Sequence, residues 1–230
     1  GRYNDCPILF GGKRTPTKGW IDDVSTDYAI KFLKQQTGDK PFFLWLGFKS
    51  PHGPRGGNSL PERDRDLYAG KEARPVPNLD VPAPFGQSTQ ESAKKLRRDP
   101  NPFEAHRNYM RHITAIDQCI GRVVDALENT GHMDDTIIII ASDNGYYLGE
   151  HMLGDKRSAY DESMRVPLLI RFPGKDAKRG ITVDGMALNI DYAPTIIAEE
   201  TTHLETMTVG KAVTAMDLSD LPIVVFRNAG

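Results

Sequence analysis

Four consecutive isoleucines, Ile137 to Ile140, constrain this chain more than any other feature. β-Branched side chains suit a pleated strand, and an unbroken apolar run suits a strand covered on both faces. The strand ends in Ala141-Ser142-Asp143-Asn144-Gly145. A carboxylate and an amide therefore sit where the strand stops and the chain turns. In open α/β sheets, ligands bind just beyond the carboxyl ends of strands. Asp143 and Asn144 there offer hard oxygens suited to calcium or magnesium. The same Asp-Asn-Gly sequence also makes an ordinary turn.

The surrounding pattern is α/β. Ser25 or Thr26 can cap a helix running to about Gln36, with Ala29, Phe32 and Leu33 on one face. Phe42 to Phe48 reads as a second buried strand, which delivers Lys49-Ser50-Pro51-His52. From Phe103 to Asn129 the residues Tyr109, Ile113, Ile116, Ile120, Val123 and Leu127 recur at steps of four and three, the period of a helix. Thr130-Gly131 stops it, and the isoleucine strand follows at once. Val166 to Phe172 reads as another strand, and Val183 to Leu188 as a short one. Asp191 opens a helix with Pro194 in its first turn, and Leu221 to Phe226 reads as an edge strand. Residues 1–20 read as loop. Residues 53–102 form a long loop, in which Ser92 to Arg98 suits a short helix with a solvated basic face.

Composition excludes several classes. A net charge of −2 gives no general attraction to nucleic acid or anionic membrane, and no run of about 18 apolar residues suits a membrane helix. Cys6 and Cys119 form no metal spacing, Cys119 reads as a core residue, and nothing requires a disulfide between them. The start, with neither Met nor signal peptide, reads as that of a processed chain or of part of a longer protein.

Two strand-end loops carry polar residues poorly suited to a core. The first holds Lys49 and His52. The second holds Asp143 and Asn144, then His151 and Lys156. If the strands are parallel neighbours, these side chains share one rim: oxygens for a metal, and Lys and His donors for an anion. His106, His112 and His132 are read as structural.

The stretch Asp143-Asn144-Gly145-Tyr146-Tyr147-Leu148-Gly149-Glu150-His151, then Asp155-Lys156-Arg157, then Tyr160 to Ile170, resembles the type I sulfatase family of the alkaline-phosphatase-like superfamily. Pro41 to His52, Gly19 to Asp23, Ile116 to Val123 and Asp191 to Thr195 fit as well, so the resemblance spans about residues 15–198. It implies an alkaline-phosphatase-like mixed or parallel sheet flanked by helices and incomplete at the N-terminal side. Residues 1–200 would be part of a catalytic domain, with 53–102 on the substrate side and 201–230 an atypical tail. Asp143 and Asn144 would ligate calcium, with magnesium as the alternative. His52 would contact the sulfate and assist the leaving group, and Lys156 would hold a sulfate oxygen. Lys49 and His151 would line the substrate region. The Tyr-Leu-Gly-Glu-His form is common among relatives acting on sulfated carbohydrates, so the resemblance implies a sulfated carbohydrate or aryl sulfate as substrate; family resemblance alone implies periplasmic or secreted localisation.

The departures matter as much. The family's formylglycine arises within Cys-x-Pro-Ser-Arg or Ser-x-Pro-Ser-Arg, and neither occurs here. The paired aspartates and the Gly-Lys-Trp-His type segment of the family are also missing. The expectation is a sulfuric ester hydrolase fragment, inactive unless a complementing N-terminal polypeptide supplies the front. The alternatives are a phosphatase or phosphonate hydrolase of the same superfamily, or a non-catalytic anion-binding fragment.

Overall fold

Strand β4 (Thr136–Ala141) shows why its isoleucines run unbroken. Ile138 faces helices α1 (Ile21–Lys34) and α2 (Pro102–Asn129), packing with Ala29, Leu33, Val123, Ala126 and Leu127. Ile137 and Ile139 point to the opposite face and pack with Trp45, Leu168 and Phe172. Successive side chains of a strand alternate between faces, so burying both faces demands an apolar residue at every position. Each such burial contributes about 2 kcal/mol. The computed structural model describes residues 2–36, 40–72, 75–76, 78–79, 81, 102–174, 179–192 and 223–227.

The sheet has four strands in the order β3 (Phe43–Leu46), β6 (Ile223–Arg227), β4, β5 (Leu168–Arg171). β6 pairs antiparallel with both β3 and β4, so those two run parallel to each other without touching. The C-terminal strand is thus interior and not an edge. No proline falls within Ile223–Arg227, so its N–H groups are available to both neighbours. β5 pairs antiparallel with β4, with Leu169 and Ile170 exposed. β3 is shorter and less covered than its apolar run suggests: Leu46 is buried, but Phe43 is half exposed.

Several expectations change elsewhere. Residues 1–20 hold a hairpin of β1 (Ile8–Phe10) and β2 (Lys13–Thr15), closed by Gly11 and Gly12 at φ 56° and 77°. Two successive positive φ values make the tight turn that glycine tolerates best. α1 starts at Ile21, so Ser25 and Thr26 do not cap it. Their hydroxyls donate back to the carbonyls of Ile21 and Asp22. Residues 183–188 form no strand, because no partner strand lies against them among the described residues. Asp191 accepts the Leu188 N–H within a single turn, and the helix expected to open there lies, beyond Tyr192, outside the described residues. The expected helix at Ser92–Arg98, and most of the tail from residue 193, lie outside the described residues.

α2 matches its expected span and stops at Gly131, whose φ is 74°. Its buried face differs in the first half. Ile113 is exposed, whereas Asn108, Arg111 and His112 are buried beside Ala115 and Cys119. The second cluster, Tyr3, Trp20, Ala115 and Cys119, underlies that half. Both cysteines are free.

Candidate active site

The sheet register sets the geometry. Leu46 of β3 and Ile140 of β4 both pair with Ile223, so the two parallel strands end level. With one strand between them they stand about 10 Å apart. Lys49 follows Leu46 by three residues and Asp143 follows Ile140 by three, so both loops leave the same edge. The expected strands are therefore parallel but not adjacent, and the shared rim survives the inserted β6.

The first loop is held from below. The fully buried Asp22 carboxylate accepts the N–H groups of Lys49 at 2.7 Å and Ser50 at 3.1 Å. Burial raises the Asp22 pKa, against the pull of the Ser50 hydroxyl and those N–H groups. His112 Nδ1 lies 2.9 Å from Ser50 Oγ and its Nε2 lies 3.1 Å from Ser59 Oγ. Burial, and secondarily Arg55, push the His112 pKa down to about 4, so it is neutral at pH 7. The Tyr3 hydroxyl reaches the carbonyls of Lys49 and His52. Burial raises its pKa, which keeps that hydroxyl a donor. Lys49 places its Nζ 5.0 Å from the Tyr3 ring. His52 is exposed, and its Nδ1 donates to the Gly53 carbonyl at 2.8 Å. Nε2 is therefore the nitrogen left to meet a ligand.

The second loop folds back on itself. Gly145 N–H donates to the Ser163 carbonyl at 2.7 Å, and a Cβ there would stand 2.0 Å from the Glu162 carbonyl oxygen, so only glycine fits. Tyr147 N–H donates to the Asp155 carbonyl, and Tyr146 Oη donates to that of Gly154. Ser163 Oγ donates to the Lys156 carbonyl at 2.7 Å. These bonds return Lys156 to the strand end, where its Nζ donates to Asn144 Oδ1 at 2.8 Å. Asp143 is exposed beside them, and its Oδ1 accepts the Asn144 N–H at 2.8 Å. His151 turns elsewhere. At a φ of 52° its ring stacks on Tyr160 at 4.2 Å, and its Nε2 lies 3.1 Å from Asn78 Nδ2. The same Asn78 amide donates to Glu162 Oε1 at 2.9 Å.

Arg55 joins the two loops. Its Nε donates to the Pro51 carbonyl at 2.6 Å, and its guanidinium carbon lies 3.9 Å from the centroid of the Tyr146 ring. The structure thus brings Lys49 and His52 to one side of this junction and Asn144 and Lys156 to the other, with Asp143 at the rim. Calcium takes about six to eight oxygens. Asp143 and Asn144 offer two side-chain oxygens, one already accepting the Lys156 ammonium. Among the described residues no group of three or more His, Cys, Asp or Glu could hold a metal. These residues fall short of a calcium or magnesium site by themselves.

Sequence reasoning misses the positioning roles of Asp22 and Ser50 and the place of Arg55, while His112, read as structural, is a buried residue that holds Ser50 and Ser59. Asp22 and His112 lie 27 and 63 residues from Lys49, and nothing local signals their contacts. Arg55 carried a signal in being three residues beyond His52 in the same loop.

Comparisons with known proteins complete the picture. The sulfatase family model matches residues 3–198. Residues 191–230 also match the model for the C terminus of sigma 54 modulation/S30EA ribosomal proteins. Two curated relatives come from Bacteroides thetaiotaomicron. An N-acetylglucosamine-6-O-sulfatase is 28% identical over 86% of this chain and 46% of its own length. An endo-4-O-sulfatase is 32% identical over 81% of this chain and 35% of its own. The chain thus spans less than half the length of these relatives. A solved structure of a protein with its substrate D-glucosamine-2-N,6-O-disulfate superposes with a TM-score of 0.65 at 25% identity, covering 75% of this chain and 47% of that one. A second, from work on glycosaminoglycan metabolism by B. thetaiotaomicron, gives 0.60 at 28% identity, covering 76% of this chain and 34% of that one.

Proposed function

This chain belongs to the sulfatase family, and from that premise we propose that its two strand-end loops hold the sulfate of a sulfated carbohydrate. The observation that carries this is the level pairing of Leu46 and Ile140 with one residue, which sets the Lys49–His52 and Asp143–Lys156 loops on one rim. Lys156, now on Asn144, supplies a point charge for a sulfate oxygen and neutralises charge developing on it. His52, its Nδ1–H fixed on the Gly53 carbonyl, presents Nε2, which in the imidazolium form gives its proton to the departing sugar oxygen and leaves the ring neutral. Lys49 lines the approach, whereas His151, held by Asn78 and Tyr160, takes no part in this reading. One relative is named an N-acetylglucosamine-6-O-sulfatase and one solved neighbour holds D-glucosamine-2-N,6-O-disulfate as its substrate, which supports a sulfated hexosamine as ligand and hydrolysis of its ester as the parent reaction.

In this reading Asp143 and Asn144 contribute part of a calcium ligand set completed by chain outside these 230 residues. The formylglycine nucleophile comes from there too, in line with the absence of its motif. The alternative of a phosphatase or phosphonate hydrolase gains nothing from the two curated relatives, both named as sulfatases. Among the described residues no helix is long and apolar enough to cross a membrane. One further relative, in Drosophila melanogaster, is named an extracellular sulfatase, which supports export.

Calorimetric titration tests the reading. N-Acetylglucosamine-6-O-sulfate should bind, N-acetylglucosamine should not, and Lys156→Gln should weaken the sulfated sugar at least 10-fold, the scale of one charge-assisted hydrogen bond. Equal binding of both sugars, or full affinity in Lys156→Gln, overturns it. Aryl sulfate hydrolysis by this chain alone would refute the assignment of the nucleophile to other residues.

A further inference from the structure

We propose that Arg55 is a second oxyanion contact of this site, reading a sulfate or carboxylate carried by the same sugar as the ester. The proposal rests on the sulfate-binding reading above and adds to it a residue that selects among sulfated sugars.

The placement of the guanidinium is the first argument. Arg55 is half buried where the loop after β3, the loop after β4 and helix α2 meet. Nε is fixed on the Pro51 carbonyl, one residue before His52. One face of the guanidinium lies on Tyr146, two residues after Asn144, and Tyr109 of α2 stands 5.4 Å away. Tyr146 is itself pinned by its hydroxyl to Gly154, two residues before Lys156. The cation thus sits between the His52 and Lys156 loops.

Its unused donors are the second argument. A guanidinium has five N–H groups, and Nε accounts for one. Among the described residues neither terminal nitrogen of Arg55 has an acceptor. The other partly buried arginines behave differently. Arg111 reaches Glu104 and Asn108, Arg107 reaches Glu104 and the Lys71 carbonyl, Arg122 reaches Asp23 and Asp27, and Arg171 reaches the carbonyls of Met133 and Thr136. Neither terminal nitrogen of Arg55 is among the buried atoms left without a partner, so these four donors face solvent, where an arriving anion can take them. Ring stacking uses the face of the group and leaves its forked edge open, and that edge matches two oxygens of a sulfate or carboxylate. Because the side chain is already anchored, little further freedom is lost when an anion arrives.

The test compares three probes by titration calorimetry: glucosamine-6-O-sulfate with one anionic group, glucosamine-2-N,6-O-disulfate with two sulfates, and a 2-O-sulfated iduronate with a sulfate and a carboxylate. In the unmodified chain at least one two-anion sugar should bind about 10-fold more tightly than the one-anion sugar, and which of them gains identifies the second group. Arg55→Gln should reduce that ratio to near one. Arg55→Lys, which keeps the charge without the fork, should retain part of it and serves as a folded control. If the two-anion sugars gain nothing, or Arg55→Gln leaves the ratio intact, the inference fails. If Lys156→Gln still weakens all three probes in that case, the sulfate-binding reading stands alone. If no probe binds the unmodified chain, both fall.

Discussion

His112 should make this protein acid-sensitive well above the carboxylate range. Its ring is fully buried between Ser50 and Ser59, with a folded pKa of about 4 against an ordinary 6.5. Between those values the unfolded chain takes a proton that the folded one refuses. The stability contributed by neutral His112 is therefore complete above pH 6.5 and is lost as pH falls toward 4. At pH 5 the loss is about 2 kcal/mol, from 1.36 kcal/mol per pH unit. Asp22 acts in the opposite sense. Its raised pKa gives a contribution complete below 3.8 and lost as pH rises through the higher folded value. Glu104 has a pKa lowered chiefly by Arg111, so its contribution is present above 4.5 and lost only below that. Comparison with His112→Gln isolates the imidazole, since glutamine offers one donor and one acceptor but does not titrate. Urea unfolding at pH 7 and pH 5, followed by tryptophan fluorescence, reads the effect, because Trp20 lies 6.4 Å from the His112 ring. The unmodified chain should lose about 2 kcal/mol more than the variant between the two pH values. Parallel losses would refute the buried, neutral histidine.

Asp22→Ala removes the acceptor of two backbone N–H groups in a fully buried site and should cost about 3 kcal/mol in urea denaturation. A loss under 1 kcal/mol would mean that Asp22 does not hold the Lys49-Ser50 turn. Gly145→Ala forces a methyl to within 2.0 Å of the Glu162 carbonyl oxygen and should cost about 3 kcal/mol in the same assay. A variant as stable as the parent would show that the second loop does not pack as described.

The parts legible in the sequence are those with local causes. The two-sided burial of Ile137–Ile140, the span and stop of α2, and the delivery of Lys49–His52 and Asp143–Asn144 at strand ends all follow from side-chain period and turn residues. The rim was legible only as a condition, since strand adjacency is a long-range property. The strands are parallel, as the condition asks, but not neighbours, because Ile223 of β6 pairs with both Leu46 and Ile140. The helical period put Ile113 on the core stripe of α2, but the buried face there is His112 and Asn108. The His52 loop packs against that half of the helix and brings polar groups that need partners. His151, grouped with Lys156 from its place in one loop, is drawn instead to Asn78, Tyr160 and Glu162.

Nuclear magnetic resonance of the ¹⁵N-labelled chain titrated with N-acetylglucosamine-6-O-sulfate tests the shared rim most directly. Amide shifts should move together, along one saturation curve, in the 49–55 and 143–156 segments, while the β1–β2 hairpin stays still. Shifts confined to one of those segments, or separate curves for the two, would contradict a single site built from both loops.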